Sequence, residues 1–186
     1  MYPVEISPAQ RQEAGVIARL VNDAYHGSAG DSKGWTGVAH LLGGPRIAVA
    51  EVAAYIDDSK FMLLVARDHG ECVGCILLTR LRPGVGEISL LSVALQRQGA
   101  GLGRALVRSG EAWMCGHWQC TDAELTVLSP RPELEDWYRR LGYAETGRCR
   151  ALGSDGEGYG TPKSPSLFLM EFARRISTRI PNNEVH

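Results

Sequence analysis

Apolar residues recur along the chain with two different periods, and the order of these patterns predicts an α/β domain. A spacing of two residues is typical of half-buried strands, whereas spacings of three and four residues are typical of amphipathic helices. The segments follow the order strand, helix, helix, three strands, helix, strand, helix and two strands. This order predicts about seven strands and about four helices.

The first third of the chain predicts a short strand at residues 4–6 and then a helix. Ser7 is expected to cap this helix, with Pro8 in its first position and Gln10 completing a capping box. A polar, glycine-rich loop follows from residue 26 to residue 34. Further helices are predicted at residues 35–42 and 45–57.

The remaining two thirds predict the rest of the sheet. Strands are expected at residues 61–66, 73–80, 87–93, 124–128, 143–152 and 166–172. Helices are expected at residues 101–115 and after Pro132, where an acidic first turn suits the helix dipole and Gly142 ends the helix. A loop covers residues 153–165. We expect one domain over residues 1–173 and a polar, frayed tail at 174–186.

One predicted strand, residues 87–93, changes its pattern half-way. Ile88 and Leu90 are expected to share one face, whereas the apolar Leu91 and Val93 have the opposite parity. An extra residue in a β-bulge produces this kind of switch. A strand that is buried on both faces is the alternative explanation.

Composition narrows the class of protein. The chain has 186 residues and a net charge of −1, which fits one domain and gives no electrostatic argument for binding nucleic acid or a membrane surface. No apolar run is long enough to span a membrane, and the first residues do not resemble a signal peptide, so a cytoplasmic location is expected. Glycine is enriched, with 22 residues.

The five cysteines are expected to be free thiols, because their number is odd and their spacing irregular. Cys72 and Cys75 form a C-x-x-C motif inside a predicted strand. Residues three apart on a regular strand point to opposite faces, which argues against a shared zinc ion. We therefore expect no metal site.

The strongest chemical signal is a glycine-rich segment between a strand and an amphipathic helix. It consists of Gln98, Gly99, Ala100, Gly101, Leu102, Gly103 and Arg104. Backbone N–H groups at a helix start bind phosphate, and glycine allows the backbone to approach the anion closely. The segment lacks the lysine of a Walker A loop and the third glycine of a Rossmann loop. A phosphate-bearing ligand of another kind is indicated.

The spacing of this segment resembles the coenzyme A loop, Q/R-x-x-G-x-G/A, of the GNAT superfamily of N-acetyltransferases. The segment Trp137-Tyr138-Arg139-Arg140-Leu141-Gly142-Tyr143 resembles a second motif of that superfamily. The resemblance covers nearly the whole chain. It implies the acyl-CoA N-acyltransferase (GNAT) fold, an α/β (α+β) fold with a mixed central sheet, and acetyl transfer from acetyl-CoA to an amine.

The resemblance also implies roles for individual residues. Backbone groups of Leu91, Ser92 and Val93 would bind the pantetheine arm, and residues 98–104 would hold the pyrophosphate. Tyr138 would protonate the departing thiolate. Glu87 would act as the general base that deprotonates the amine, with His40 and Glu51 as less favoured candidates.

Acceptor binding is expected to involve Trp35, His40 and Tyr159, since the segments around them resemble an uncharacterised subgroup of small-molecule acetyltransferases. Trp35 also suits a core position. The expected acceptor is the amine of a small molecule or amino-acid derivative. Members of the superfamily often form dimers, so the resemblance is compatible with a homodimer. Pro132 and Glu135 depart from the usual asparagine and alanine of the second motif, which argues against side-chain contacts to coenzyme A from that turn.

Two other functions fit the sequence less well. A non-catalytic acyl-CoA sensor would keep the glycine loop while Tyr138 and Glu87 served only the structure. A dinucleotide-binding fragment conflicts with the missing glycine and with the order of the strands.

Overall fold

Seven strands form one mixed sheet in the computed structural model, which describes residues 4–26, 41–152, 161–163 and 167–177. In spatial order they are β1 (Glu5–Pro8), β3 (Phe61–Asp68), β4 (Glu71–Arg82), β5 (Val85–Val93), β6 (Asp122–Ser129), β9 (Phe168–Arg175) and β7 (Ala144–Ala151). Among these seven described strands, only the pair β5–β6 is parallel. A separate small sheet pairs β2 (Leu42–Gly43) with β8 (Thr161–Pro162). The predicted mixed α/β architecture is confirmed.

In the described part of the chain, four helices cover the two faces of the large sheet. The helices α1 (Ala14–His26) and α2 (Val49–Asp57) pack on one face through a cluster that includes Ile17, Val21 and Val52. The helices α3 (Leu102–Trp118) and α4 (Pro132–Arg140) pack on the other through a cluster that includes Leu106 and Tyr138. Within the described ranges, no helix is both long and apolar enough to cross a bilayer.

The predicted bulge in β5 is present. Cys75 of β4 pairs with Ser92, and Leu77 pairs with Ser89, so three steps along β5 match two along β4. Leu90 adopts a left-handed backbone conformation, with φ of 48°. The extra residue bends the strand at this point.

The bulge changes which residues share a face, and here one expectation is wrong. Ile88 packs on the α3 side, whereas Leu90 packs in the cluster under α1 and α2. Leu91 and Val93 then return to the α3 side. The switch therefore lies between Ile88 and Leu90, because the left-handed residue reverses the alternation.

The strands β5 and β6 separate just before this bulge. Their parallel pairing covers Val85–Ile88 against Asp122–Leu125 and goes no further, although β6 continues to Ser129. The later residues of β5 therefore present a strand edge towards β6 without being paired to it.

The first helix begins later than predicted. Ser7 and Pro8 belong to β1, where they pair with Val65 and Leu64, because pairing in the sheet outweighs a local capping motif. Proline is tolerated there, since β1 is an edge strand. The cap lies three residues on, where the backbone N–H of Gln10 donates to the Glu13 carboxylate at 2.7 Å.

Two expectations for the next segment also change. Leu42, placed in a short helix by the prediction, lies in β2, while residues 35–40 are outside the described ranges. The following helix begins at Val49 rather than at residue 45. The Asn22 side chain of α1 accepts hydrogen bonds from the backbone N–H groups of Arg46 and Ile47, which holds them in a non-helical conformation.

The C-x-x-C motif behaves differently from the expectation. Cys72 and Cys75 both pack on the α1 side, because a register shift opposite Ala66 and Arg67 adds a residue to β4. All five cysteines are free, and burial raises the pKa of the Cys72 thiol to about 11. No group of three metal-ligating side chains occurs within the part of the chain that is described.

The last strand is longer than predicted. It runs from Phe168 to Arg175, three residues beyond the expected end, and Ile176 after it is buried. The sheet therefore orders the residues directly after Ala173, where fraying was expected.

The packing of α3 against β4 generates a stability prediction. A Cβ atom on Gly110 would lie 2.8 Å from Cδ2 of the buried Leu78, whereas one on Gly116 of the same helix would meet no atom within 4 Å. We expect G116A to stabilise the protein by up to about 1 kcal/mol, because alanine favours a helix. We expect G110A to be less stable than G116A by roughly 1–3 kcal/mol, because it overpacks the core. Urea unfolding of both variants measures the difference, and equal stabilities would contradict this account of the helix–sheet contact.

Candidate active site

A cleft of about 550 Å³ lies where β5 and β6 separate. One wall is the late part of β5 and the other is the late part of β6, including Thr126, Val127 and Leu128. The start of α3 closes one end, and α4 contributes Leu134, Trp137 and Tyr138. The cleft therefore passes between the two sheet strands from the α3 side towards the α1 side.

The glycine segment forms a cradle at the α3 end. Gly99 and Gly101 have positive φ angles, 79° and 84°, which only glycine adopts at little cost. Gly101 is also the N-cap residue of α3. Residues with such alternating backbone conformations direct successive N–H groups towards one point, where an anion binds.

The cradle is fixed to the bulged strand by one side chain. The Gln98 amide donates a hydrogen bond to the backbone carbonyl of Val93 at 3.0 Å. This contact joins the last residue of β5 to the first residue of the cradle.

The helix start supplies further donors. The N–H groups of Leu102, Gly103 and Arg104 lie in the first turn of α3, where an α-helix has no carbonyl four residues back to receive them. All three residues line the cleft, as do Gln98, Gly99 and Gly101. Ala100 does not, and lines a smaller neighbouring pocket instead.

Of the predicted strand residues, Leu91 and Val93 line the cleft. The Ser92 side chain is fully buried, and its hydroxyl donates to the Leu90 carbonyl at 3.2 Å. Ser92 has only its backbone to offer a ligand at this edge.

Tyr138 lies in the wall of the cleft and in the core at once. The residue is 7% exposed, and its ring packs edge-on against Trp137 and Tyr143, with centroid distances of 4.8 and 5.9 Å. These contacts fix the ring from two sides. The sequence left open whether Tyr138 faces the site or the core, and the structure places it at both.

Glu87 does not line the cleft but lies next to it. Glu87 pairs with Glu124 across β5 and β6, two residues before Ser89, which lines the cleft. Burial and the neighbouring Glu124 charge raise the pKa of the Glu87 carboxyl above its usual range, against smaller opposing effects from Arg150 and Lys60. Side chains two residues apart on a strand share a face and lie about 7 Å apart.

Several residues that line the cleft were given no role in the site by the sequence analysis, although Trp137 and Arg140 stand in the second motif. These are Tyr25, Arg46, Ser89, Arg97, Thr126, Arg131, Trp137 and Arg140. Ser89 and Thr126 are hydroxyl residues within otherwise apolar strands, and this pattern in the sequence could have indicated that they face a polar site. Tyr25 and Arg46 meet the cleft only because α1 packs across the sheet, and no local pattern reveals this.

Other predicted residues lie elsewhere. Trp35, His40 and Tyr159 are outside the described ranges. The Glu51 carboxylate accepts the Ala48 N–H at 2.7 Å and so caps α2, away from the cleft lining. Glu135 accepts a hydrogen bond from Ser129 Oγ at 3.1 Å and stabilises the start of α4.

A comparison with protein-family models matches residues 35–143 to the acetyltransferase (GNAT) family. The match covers more than half of the chain. The protein belongs to the GNAT acetyltransferase family. It is therefore an acyltransferase, of a family that uses acetyl-CoA. No protein with a curated description matches the sequence.

Solved structures share the fold at low sequence identity. The protein smu.2055 from Streptococcus mutans is 17% identical, with a TM-score of 0.69, covering 93% of this chain and 99% of that one. A spermidine N-acetyltransferase from Vibrio cholerae, solved with CoA and spermine, is 16% identical, with a TM-score of 0.68 and coverages of 94% and 96%. The protein yncA from Salmonella typhimurium, solved with acetyl-CoA, is 16% identical, with a TM-score of 0.68 and coverages of 95% and 95%.

The cradle geometry predicts the effect of replacing Gly101. We expect G101V to weaken acetyl-CoA binding by roughly tenfold or more, because a β-branched residue resists a positive φ and distorts the donors of the GNAT loop. Isothermal titration calorimetry with acetyl-CoA measures the change. The matched control is G70V, which imposes similar strain in the hairpin between β3 and β4, where φ is 82°, outside the cleft lining. An equal loss of affinity in both variants would show that general destabilisation is responsible.

Proposed function

We propose that the protein transfers the acetyl group of acetyl-CoA to the amine of a small molecule or amino-acid derivative, by direct attack in a ternary complex. One observation carries the proposal: a single cleft joins the anion cradle at the start of α3, the open edge of β5 and the ring of Tyr138. A phosphate-bearing donor with an extended arm needs these features in this order. The pairing between β5 and β6 ends at Ile88, and such an arm would lie beside the unpaired residues of β5 that follow.

The residues present fit acetyl-CoA as the donor. When bound, acetyl-CoA supplies an acetyl group activated as a thioester. Residues 98–104 would hold its pyrophosphate through backbone N–H groups. Leu91, Ser92 and Val93 lie on an edge that can bind an extended arm as a neighbouring strand is bound. A backbone N–H of this edge would stabilise developing negative charge on the carbonyl oxygen.

Glu87 is the proposed general base. A raised pKa makes its carboxylate a stronger base near neutral pH, where an alkyl amine is mostly protonated. Its place two residues before Ser89, on the same strand, suits proton removal through an intervening water. The amine would then approach from the α1 side of the sheet.

Tyr138 is the proposed general acid. Its phenol is positioned by Trp137 and Tyr143, so the ring keeps one orientation towards the cleft. A hydroxyl held in this way can donate a proton to a departing thiolate. The sensor alternative gives Tyr138 no chemical role.

The acid role predicts the behaviour of Y138F. We expect kcat to fall on the order of 100-fold while the KM for acetyl-CoA changes little, because only the hydroxyl is removed. Steady-state release of CoA, followed with a thiol reagent, measures both constants. Y55F serves as a matched control, since Tyr55 lies on α2 outside the cleft lining. An unchanged kcat and pH profile in Y138F would exclude the acid assignment.

The base role predicts opposite effects of E87Q on activity and stability. We expect kcat/KM to fall on the order of 100-fold, and we expect the fall in kcat/KM at low pH to disappear from the pH–rate profile.

A carboxyl whose folded pKa is raised stabilises the fold below its ordinary pKa, and this contribution is lost as the pH rises through the raised value. Since glutamine stays neutral, E87Q should be at least as stable as the native chain at pH 7.

Thermal unfolding at pH 4 and pH 7, together with a pH–rate profile, tests both parts. E71Q is the control, because Glu71 is exposed at the start of β4. A lower melting temperature of E87Q at pH 7 would contradict the electrostatic account. A retained acidic limb would contradict the base assignment.

A turnover screen tests the proposed function as a whole. Purified protein is supplied with acetyl-CoA and with amino acids, small amines, polyamines and peptide N-termini in turn, and the release of CoA is followed. Acetylation of at least one acceptor class supports the proposal. Binding of acetyl-CoA without turnover of any amine would favour the sensor instead. The homodimer stays a prediction.

A further inference from the structure

The charged side chains that line the cleft share one sign. Within the described ranges they are five arginines, with no aspartate or glutamate among them: Arg46, Arg97, Arg104, Arg131 and Arg140. The overall charge of the chain is −1, so this arrangement is local. Two of them form ion pairs with carboxylates outside the lining, Arg97 with Asp68 and Arg131 with Glu133. A cationic acceptor would find no described carboxylate in the cleft lining to bind.

The arginines belong to two different faces of the sheet. Arg97 and Arg104 flank the anion cradle on the α3 side, and Arg131 and Arg140 lie at the two ends of α4. Arg46 instead belongs to the α1 layer, since Ile47 beside it is buried in the cluster under α1 and α2. It lies on the side from which the acceptor would approach.

Arg46 is held in place by contacts with α1. The Asn22 side chain accepts the Arg46 N–H at 2.6 Å and the Ile47 N–H at 3.2 Å, and donates to the Ile47 carbonyl at 2.9 Å. The Arg46 guanidinium lies over the Tyr25 ring, 5.2 Å from its centroid, and its Nε is buried. A cation positioned in this way loses little freedom when it binds an anion.

Two of the three carboxylates on the neighbouring strands are engaged by arginines outside the cleft lining, and Glu87 is the third. Arg82 donates two hydrogen bonds to Glu124, and Arg148 donates to both oxygens of Glu171. Their negative charges are thus balanced within the sheet. They offer a polycationic acceptor much less attraction than bare carboxylates would.

We propose that the acceptor carries a carboxylate beside its amine, and that Arg46 binds this carboxylate at the α1 end of the cleft. The inference rests on the proposed function and narrows its substrate class to α-amino acids and similar amino carboxylates. A planar guanidinium binds a carboxylate through two parallel hydrogen bonds. Arg46 and Ser89 line the same cleft, and Ser89 stands on the strand that carries Glu87, so an acceptor held by Arg46 would present its amine within this cleft.

The test compares matched acceptors. L-Amino acids, their primary amides and their decarboxylated amines are each assayed with acetyl-CoA, with spermidine as a polycation, using the native chain and the variants R46Q and R46K. We expect the native chain to prefer each acid over its amide by about tenfold or more in kcat/KM. The amine of the amide loses its proton more easily, so chemistry alone would favour the amide.

R46Q should bring the acid-to-amide ratio close to one, and R46K should keep part of it, because lysine retains the charge without the planar fork. The KM for acetyl-CoA should stay constant. R19Q, which removes an exposed arginine from α1 outside the cleft lining, should behave like the native chain. The preference of the native chain for acids over amides is measured without any variant, so this part of the test does not depend on whether a variant folds.

Three results would overturn the inference. The native chain could acetylate acids and amides equally or prefer spermidine. R46Q could leave the ratio unchanged while raising the KM for acetyl-CoA, which would assign Arg46 to the donor. If acetyl-CoA bound but no amine of any class were acetylated, both the proposed function and this inference would fail. The first two results would contradict this inference alone and leave the proposed function intact.

Discussion

The left-handed conformation of Leu90 is the constraint on which the site depends. An L-residue in this region costs about 1–2 kcal/mol, and the burial of the Leu90 side chain under α1, where it is 5% exposed, offsets this cost. Because one extra residue sits in β5, the strand bends away from β6 after Ile88. The cleft, the open strand edge and the change of face all follow from this single insertion.

The bulge and the cradle act as one unit. The hydrogen bond from Gln98 to the Val93 carbonyl joins them, and Gly101 then starts α3, which crosses back over the sheet to β6. Most of the groups that would bind the donor are backbone atoms, so their positions depend on conformation rather than on side-chain identity. This agrees with the shared fold of smu.2055 at only 17% identity.

Local patterns predicted the elements well where local forces decide them. The glycine segment and the bulge in β5 both appear in the structure, although the change of face lies earlier in the strand than the sequence indicated. The wrong predictions have a common physical cause, because each residue concerned is held in place by a partner that lies far away in the sequence. Pro8 pairs with Leu64, and Asn22 holds Arg46 and Ile47 out of a helix. In the same way, a register shift against β3 turns Cys72 to the side of Cys75.

The electrostatics of the site are likewise set by the sheet and not by the composition. Glu87, Glu124 and Glu171 lie on neighbouring strands, and each would repel the others if all were ionised and alone. Arginines from β4 and β7 neutralise Glu124 and Glu171, which leaves Glu87 as the carboxylate with the raised pKa. A chain of nearly zero net charge thus places a carboxyl of raised pKa on the strand beside a cleft whose described charged lining is cationic. An acceptor with both an amine and a carboxylate is complementary to that pairing.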